Sequence, residues 1–284
     1  MTLKDLNNNL YLELSKVYSE NETKSLVYQI FAHVLNFSRF QLSLNSSKQV
    51  KLKDEIKIKN IVHDLKEYKP IQYILGCTEF YNCKLEVSNH VLIPRPESEE
   101  LIAWILKYKT WDHPNILDMG TGSGCLAIAL SKHINKSVTT GLDISPEALE
   151  TARQNAELNN VRINFLQHDI LTEIESLEPG NFHLIVSNPP YVRESEKTHM
   201  QANVINWEPA LALFVPDSDP LIFYKKIISS SYSLLAPGGY LFLEINENFP
   251  DEIRQLYLGN DFTDVEIAKD LSGRYRMAKG KKPE

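Results

Sequence analysis

The sequence predicts an α/β protein whose larger part is a doubly wound parallel sheet, preceded by a small helical domain. Three observations support this prediction. Apolar residues recur every three or four positions up to about Leu75, which is the spacing of amphipathic helices. A short stretch in which apolar and polar residues alternate follows. Beyond it, short apolar runs alternate with helical segments, the order that places helices between parallel strands.

The amino-terminal part is predicted to be helical from residue 3 to about residue 75. Residues 36–47 are either a loop or a short helix, and the Lys-rich residues 51–69 predict one further helix with a solvated charged face. Residues 1–75 contain 11 Lys and Arg against 8 Asp and Glu, a net charge of +3 in a chain of −7. The remainder therefore carries −10, so the two parts differ in electrostatic character.

A β-hairpin is predicted after Pro70, which ends the helical region. Residues 78–93 alternate in polarity around turn signals at Asn82 and at Ser88-Asn89. Pro96 and the acidic residues that follow it favour the start of a helix. The predicted organisation is a helical domain over residues 1–76, a hairpin linker over 77–93 and the α/β domain over 94–284.

Composition excludes several classes of protein. The chain lacks a run of roughly 20 apolar residues, as a membrane helix requires, and its first residues lack the pattern of a secretory signal. We therefore expect a cytoplasmic protein. Three cysteines without CxxC spacing indicate neither a disulfide framework nor a zinc site. The net charge of −7 disfavours broad binding to nucleic acid phosphates.

The first predicted strand of the α/β domain spans residues 115–119, and a glycine-rich loop follows it. Its glycines stand at alternate positions, which lets the backbone turn tightly and approach a ligand without a side chain between them. A tight turn in a protein core also uses glycine, so the pattern alone leaves both interpretations open. The loop consists of Gly120, Thr121, Gly122, Ser123 and Gly124.

Two carboxylates follow the next two strands. Asp143 is placed to accept both hydrogen bonds of a ribose diol. It is alternatively a helix N-cap, but Ser145 with Pro146 behind it is the better cap, which leaves Asp143 for a ligand. Asp169, followed by Ile170, is predicted to lie near an adenine ring, whose exocyclic amine donates to a carboxylate. The alternative for Asp169 is a surface turn.

The most specific motif is Asn188-Pro189-Pro190-Tyr191, directly after a buried strand. Two prolines remove two backbone donors and fix the chain direction. An amide NH2 group has two donors, which the Asn188 side-chain oxygen and the Pro189 carbonyl are able to accept. Tyr191 is then expected to pack against the planar amide or base. The alternative interpretation is a rigid turn.

These motifs together resemble class I methyltransferases that modify planar amino groups, and along nearly the whole chain the sequence is similar to the release factor glutamine methyltransferase family. The resemblance rests on residues 118–124, Asp143 and the tetrad 188–191, and extends through residues 70–76, 79–81, 91–99 and 208–211.

The resemblance implies a seven-stranded methyltransferase sheet, S-adenosylmethionine as cofactor, and a glutamine side chain of a peptide chain release factor as the methyl acceptor. The helical domain is then expected to recognise this partner. A monomer is expected, without a metal and without direct contact with nucleic acid or membrane. The implied catalytic residues are Asn188, Pro189, Pro190 and Tyr191. The implied cofactor-binding residues are Gly120, Thr121, Gly122, Ser123, Gly124, Asp143, Asp169, Ile170 and Asn188.

Two positions depart from the family pattern. Ser98 stands where threonine is usual, and Glu244-Ile245-Asn246 stands where glycine or histidine often follows the isoleucine. Neither is expected to contact the tetrad. Arg95 and Glu97 are expected near the mouth of the active site, although Glu97 fits a helix start equally well.

Two alternative functions remain open at this point. One is adenine-N6 methylation of DNA or RNA, which requires a flipped base and a basic channel. The acidic balance of the chain disfavours it. The other is a non-catalytic protein that keeps the cofactor pocket and docks a translation factor. The intact tetrad disfavours this second alternative.

Overall fold

The computed structural model describes residues 1–108 and 111–284. They form two compact units, one of residues 1–76 with 202–207, the other of residues 77–201 with 208–284. Within the described residues, no helix has the length and apolar character needed to cross a membrane.

Eleven α-helices and eleven strands are defined within the described residues. The helices are α1 (Leu3–Leu14), α2 (Glu20–Leu35), α3 (Arg39–Leu44), α4 (Leu52–Lys66), α5 (Ile71–Leu75), α6 (Pro96–Ile105), α7 (Cys125–His133), α8 (Pro146–Leu158), α9 (Ala202–Trp207), α10 (Ile222–Leu234) and α11 (Pro250–Gly259). The strands are β1 (Cys77–Phe80), β2 (Cys83–Glu86), β3 (Asn115–Met119), β4 (Val138–Asp143), β5 (Ile163–Gln167), β6 (Phe182–Ser187), β7 (Val192–Arg193), β8 (Phe214–Val215), β9 (Leu235–Glu244), β10 (Thr263–Lys269) and β11 (Tyr275–Lys281).

The smaller unit is helical because its apolar residues line one face of each main helix. Thr2 starts α1 with a reciprocal capping box, in which its side chain accepts from the Asp5 amide and the Asp5 carboxylate accepts from the Thr2 amide. The core of this unit contains Leu3, Leu6, Leu10, Leu14, Leu26, Val27, Ile30, Phe31, Ile58, Ile61, Val62, Leu65 and Ile71.

Helix α9 belongs to the same unit although it follows α5 by more than 100 residues. The indole nitrogen of Trp207 donates to the carbonyl of Glu67 at 3.3 Å. The Lys69 ammonium lies 5.4 Å from the centroid of the Trp207 ring, which is cation–π distance. No local sequence pattern indicated this return of the chain.

The larger unit is built on a seven-stranded sheet in the order β10-β11-β9-β6-β3-β4-β5. Strands β3, β4, β5, β6 and β9 are parallel, whereas β11 is antiparallel to both β9 and β10. The predicted fold class, a doubly wound seven-stranded sheet with a helical amino-terminal region, is confirmed.

Side chains of the central strands alternate between two apolar cores, one on each face of the sheet. Neighbours Ile116 and Leu117 in β3 are both fully buried but contribute to different cores. Helices α6, α7 and α8 cover the first face, and α10 and α11 cover the second. Since both faces are covered, the central strands β3, β6 and β9 contain runs of consecutive apolar residues, as parallel strands usually do.

The hairpin strands β1 and β2 join at Tyr81 and Asn82, which have φ of 43° and 60°. Asn155 in α8 fastens the end of β2, since its side chain accepts from the Glu86 amide at 2.6 Å and donates to the Glu86 carbonyl at 2.9 Å. The chain therefore leaves the hairpin from a fixed point.

The order of the strands places a switch point between β3 and β6. From β3 the chain proceeds outward through β4 and β5, then returns to form β6 on the other side of β3. In such sheets ligands bind outside the carboxyl ends of the strands at this point. The glycine loop after β3 and the tetrad after β6 both lie there.

We expect Gly280→Ala to destabilise the larger unit by about 1–3 kcal/mol, because overpacking a filled core has this cost. A Cβ at Gly280 would lie 2.5 Å from Cδ1 of the buried Tyr257. Gly259→Ala is the matched control, since a Cβ there meets no atom within 4 Å. Urea denaturation of both variants measures the difference, and equal midpoints would contradict this packing argument.

Candidate active site

A cavity of about 340 Å³ lies at the carboxyl ends of the parallel strands. Residues after β3, β4, β5 and β6 line one part of it, and residues 89–92, 94–95, 209 and 211–212 line another. All of these residues belong to the larger unit. The lining includes Gly120, Thr121, Gly122, Ser123, Asp143, Asp169, Ile170, Asn188 and Pro190, as well as Arg95 and Ser98.

The glycine loop leaves open space on the cavity side. Gly120, Gly122 and Gly124 have φ of 78°, 54° and 80°, a conformation that other residues adopt at a cost. A Cβ on Gly122 would meet nothing within 4 Å, whereas a Cβ on Gly124 would lie 3.2 Å from the Cβ of Ala152 in α8. Gly122 therefore faces free volume, and Gly124 permits close packing of α7 on α8.

Asp118 anchors this loop from inside the sheet. Its Oδ2 accepts from the Thr121 hydroxyl at 2.7 Å and from the Ala127 amide at 3.2 Å. Its Oδ1 is buried without a partner among the residues that the structure describes. Burial raises the pKa of the Asp118 carboxyl to about 7, although its two hydrogen bonds lower it. The Asp118 carboxyl group therefore fixes the glycine loop to the start of α7.

Asp143 is held rigidly at the end of β4. Oδ2 accepts from the Gly122 amide at 2.8 Å, and Oδ1 accepts from the Ser145 amide at 3.0 Å. Burial raises the pKa of this carboxyl, against the effect of these backbone donors. The Ser145 side chain caps α8 by accepting from Ala148, which confirms the predicted N-cap. Each oxygen of Asp143 keeps a further acceptor site.

Asp169 combines both predicted features, since it forms a turn and also lines the cavity. Its Oδ1 accepts from the Leu171 amide at 2.9 Å, and its carbonyl accepts from the Thr172 hydroxyl at 2.8 Å. Ile170 beside it is buried in the second apolar core and also borders the cavity. Asp169 and Ile170 thus present one carboxylate oxygen and one apolar surface to the cavity.

The tetrad after β6 is attached at both ends. Asn188 Nδ2 donates to the Ser98 hydroxyl at 3.3 Å, and the Tyr191 hydroxyl donates to Glu244 Oε1 at 3.0 Å. Burial raises the pKa of the Tyr191 phenol, and the neighbouring Glu244 raises it further. The phenol consequently stays protonated and remains a donor. Pro189 between them is buried.

The expectation that Ser98 and Glu244 do not touch the tetrad is wrong. Ser98 Oγ donates to Glu244 Oε2 at 2.5 Å while accepting from Asn188, and Glu244 accepts from Tyr191. Sequence reasoning missed these contacts because 146 positions separate Ser98 from Glu244. The available signal was an acidic residue directly after the apolar residues 240–243 of β9, because a buried carboxylate must find partners.

Arg95 and Glu97 lie at the start of α6. Arg95 Nη2 donates to Glu208 Oε1 at 2.5 Å, and the Ile93 amide donates to Glu208 Oε2 at 3.2 Å. Glu208, which is almost fully buried, therefore holds the segment that borders the cavity. Glu97 occupies the first turn of α6, where the helix dipole favours an acid.

Cys125 also borders the cavity, at the first residue of α7. Burial raises the pKa of its thiol to about 12. The sulfur is consequently a neutral thiol and a poor nucleophile at neutral pH. This thiol is therefore not suited to act as a nucleophile in the cavity.

Comparisons with known proteins identify the class to which this sheet and its cavity belong, which is that of the methyltransferases. Residues 98–210 match the family model "Methyltransferase small domain", and residues 8–76 match "PrmC N-terminal domain". Curated relatives then give the family: the chain belongs to the release factor glutamine methyltransferases.

Two of these relatives cover nearly the whole chain. The release factor glutamine methyltransferase of Bacteroides thetaiotaomicron is 39% identical over 264 residues, 93% of this chain and 94% of its own length. That of Flavobacterium psychrophilum is 39% identical over 283 residues, 98% of this chain and 99% of its own length. The similarity therefore includes the helical unit as well as the sheet.

Solved structures share the fold at lower identity. A methyltransferase from Pyrococcus furiosus has a TM-score of 0.51 at 22% identity, covering 70% of this chain and 89% of its own. A 16S rRNA N2 G1207 methyltransferase from T. thermophilus has a TM-score of 0.52 at 18% identity, covering 72% of this chain and 49% of its own.

We expect the variant Asp118→Asn to change how stability depends on pH. Since the folded-state pKa of Asp118 is raised from 3.8 to about 7, its stabilising contribution is present below 3.8 and is lost as pH rises through 7. Relative to the variant, the wild-type protein should lose about 2–4 kcal/mol over this range. Urea denaturation between pH 4 and 8 measures the free energy of unfolding of both proteins. If the two free energies changed in parallel with pH, the raised pKa of Asp118 would be contradicted.

Proposed function

We propose that this protein transfers a methyl group from S-adenosylmethionine to the side-chain amide nitrogen of a glutamine in a peptide chain release factor. The observation that carries the proposal is the Asn188 side chain, which borders the cavity while its NH2 group is engaged by Ser98. Its oxygen is then available to accept from an amide. Membership of the family supports the identity of the acceptor.

The lining of the cavity suits S-adenosylmethionine in its chemistry. The free volume beside Gly122 admits a ligand against the backbone. Asp143 offers acceptor sites for a ribose diol, and Asp169 with Ile170 offers an acceptor and an apolar face for adenine. We assign cofactor binding to Gly120, Thr121, Gly122, Ser123, Gly124, Asp143, Asp169, Ile170 and Asn188.

S-adenosylmethionine supplies an electrophilic methyl group when bound. The protein's task is then to orient a weak nucleophile, because the lone pair of an amide nitrogen is delocalised into its carbonyl. The Asn188 side-chain oxygen and the Pro189 carbonyl accept hydrogen bonds from the two N–H groups of the substrate amide. These hydrogen bonds raise the electron density on the amide nitrogen. Pro190 fixes the direction of the chain, and Tyr191 packs against the amide plane.

The helical region is proposed to recognise the body of the release factor. Its net charge of +3 over residues 1–75 contrasts with the acidic remainder of the chain. Such a difference steers a partner toward one part of the surface. We further propose that the enzyme acts as a monomer and contacts the protein substrate without direct contact with nucleic acid.

The proposal is tested by transfer of labelled methyl from S-adenosylmethionine to a recombinant release factor. Its glutamine-to-alanine loop variant, duplex DNA and ribosomal protein serve as competing substrates. We expect label on the wild-type factor alone. Label on DNA would instead indicate base methylation, and cofactor binding without any label would indicate a non-catalytic docking protein.

Asn188→Ala should abolish methylation and leave cofactor affinity largely unchanged, because it removes an acceptor for the substrate amide. Methyl transfer and calorimetric titration of S-adenosylmethionine measure the two effects. Asn135→Ala, at an exposed position before β4 and so at the opposite edge of the sheet, is the matched control. Normal turnover of Asn188→Ala would end this mechanism.

Asp143→Asn should weaken binding of S-adenosylmethionine by about 10- to 100-fold, the effect of losing hydrogen bonds to a charged group. Asp251→Asn replaces an exposed carboxylate in the first turn of α11, outside the cavity lining, and should change the affinity by about twofold or less, since surface substitutions usually have small effects. Calorimetric titration of both variants makes the comparison. Equal affinities would remove Asp143 from the cofactor site.

A further inference from the structure

Two buried residues outside the tetrad determine which side-chain atom of Asn188 faces the cavity. Ser98 and Glu244 are each only 1% exposed. Ser98 Oγ lies 2.5 Å from Glu244 Oε2 and 3.3 Å from Asn188 Nδ2. A carboxylate, a hydroxyl and an amide thus form one continuous chain of hydrogen bonds that ends at the cavity.

The direction of this chain follows from the number of protons. A serine hydroxyl has one proton, which Ser98 donates to Glu244 Oε2. Burial raises the pKa of the Glu244 carboxyl, whereas the hydrogen bonds from Ser98 and Tyr191 and the charge of Arg276 lower it. Ser98 therefore only accepts from its other neighbour, so Asn188 must present its NH2 group to Ser98. If the amide were flipped, the Asn188 oxygen would face a serine lone pair, and the amide would lose this hydrogen bond. The Asn188 oxygen is thereby left to the cavity.

The same carboxylate holds the other end of the tetrad. Glu244 Oε1 accepts from the Tyr191 hydroxyl at 3.0 Å, and Asn246 Nδ2 donates to the Tyr191 carbonyl at 2.9 Å. The Arg276 guanidinium lies 6.0 Å from the centroid of the Tyr191 ring. Glu244 thus restrains Asn188 and Tyr191 together, from the strand beside β6.

We infer that Ser98 and Glu244 are positioning residues that fix the Asn188 amide with its oxygen toward the acceptor and so select a substrate nitrogen that carries N–H donors. This inference rests on the proposed function. Neither residue contacts the substrate in this scheme. Both act through the orientation of Asn188.

Kinetics of three single variants test the inference. Ser98→Ala removes the acceptor for the Asn188 NH2 group and should lower kcat by about 10- to 100-fold, as loss of orientation does. The dissociation constant for S-adenosylmethionine should stay within about twofold, because the cofactor contacts remain. Ser98→Thr keeps the hydroxyl and should restore kcat. Ser131→Ala, in which the lost hydroxyl contacted only Thr139 among the residues the structure describes, should match the wild type.

Glu244→Gln provides an independent variant. Its NH2 group replaces one acceptor oxygen, so either Ser98 or Tyr191 loses its acceptor. Glu244→Gln should therefore also lower kcat relative to the wild type. Wild-type kcat in Ser98→Ala would overturn the inference, and so would a Ser98→Thr variant as slow as Ser98→Ala.

The side-chain amide resonances of Asn188, assigned by their disappearance in Asn188→Ala, give a readout that does not depend on turnover. They should shift in Ser98→Ala and keep their wild-type position in Ser98→Thr. Unchanged resonances in Ser98→Ala would overturn the inference. If the wild-type enzyme labels no release factor, the proposed function fails, whereas these resonances still decide how Asn188 is oriented.

Discussion

The parallel pairing of β3 with β6 is the constraint on which the site depends. Ile116, Leu117 and Asp118 pair with Leu184, Ile185 and Val186, so both strands end at the same edge of the sheet. The glycine loop and the tetrad are about 65 residues apart in sequence, and yet residues 120–123 of the loop and Asn188 and Pro190 of the tetrad border one cavity. Because parallel strands require crossover connections, the helices on both faces follow from the same constraint.

Buried polar groups then locate the loops that the strands bring together. Asp118 fastens the glycine loop, Glu208 fastens residues 93–95, and Glu244 fastens both ends of the tetrad. A buried polar group without a partner costs free energy, so each of these contacts favours one arrangement of its loop. This rigidity suits the proposed mechanism, in which the protein orients a weak nucleophile.

Local chemistry made several structural features around the cavity predictable. The cap at Ser145 depends on residues within one helical turn, and the position of Pro96 at the start of α6 depends on its fixed φ. The tetrad was recognisable because two prolines after an apolar strand have few structural uses. The contacts of Ser98 and Glu244 were predicted wrongly, because their pairing depends on which strand lies beside β6.

The sequence by itself determined the periodicity of the helices and strands, and with it the fold class. The spacing of apolar residues along the chain depends on whether one face or both faces of an element are buried. It also determined the chemistry available at the strand ends. Tertiary structure alone decided that β9 lies beside β6 and brings Glu244 to Tyr191, and that α9 joins the helical unit. Contacts between residues far apart in the chain depend on three-dimensional packing, which no local pattern encodes.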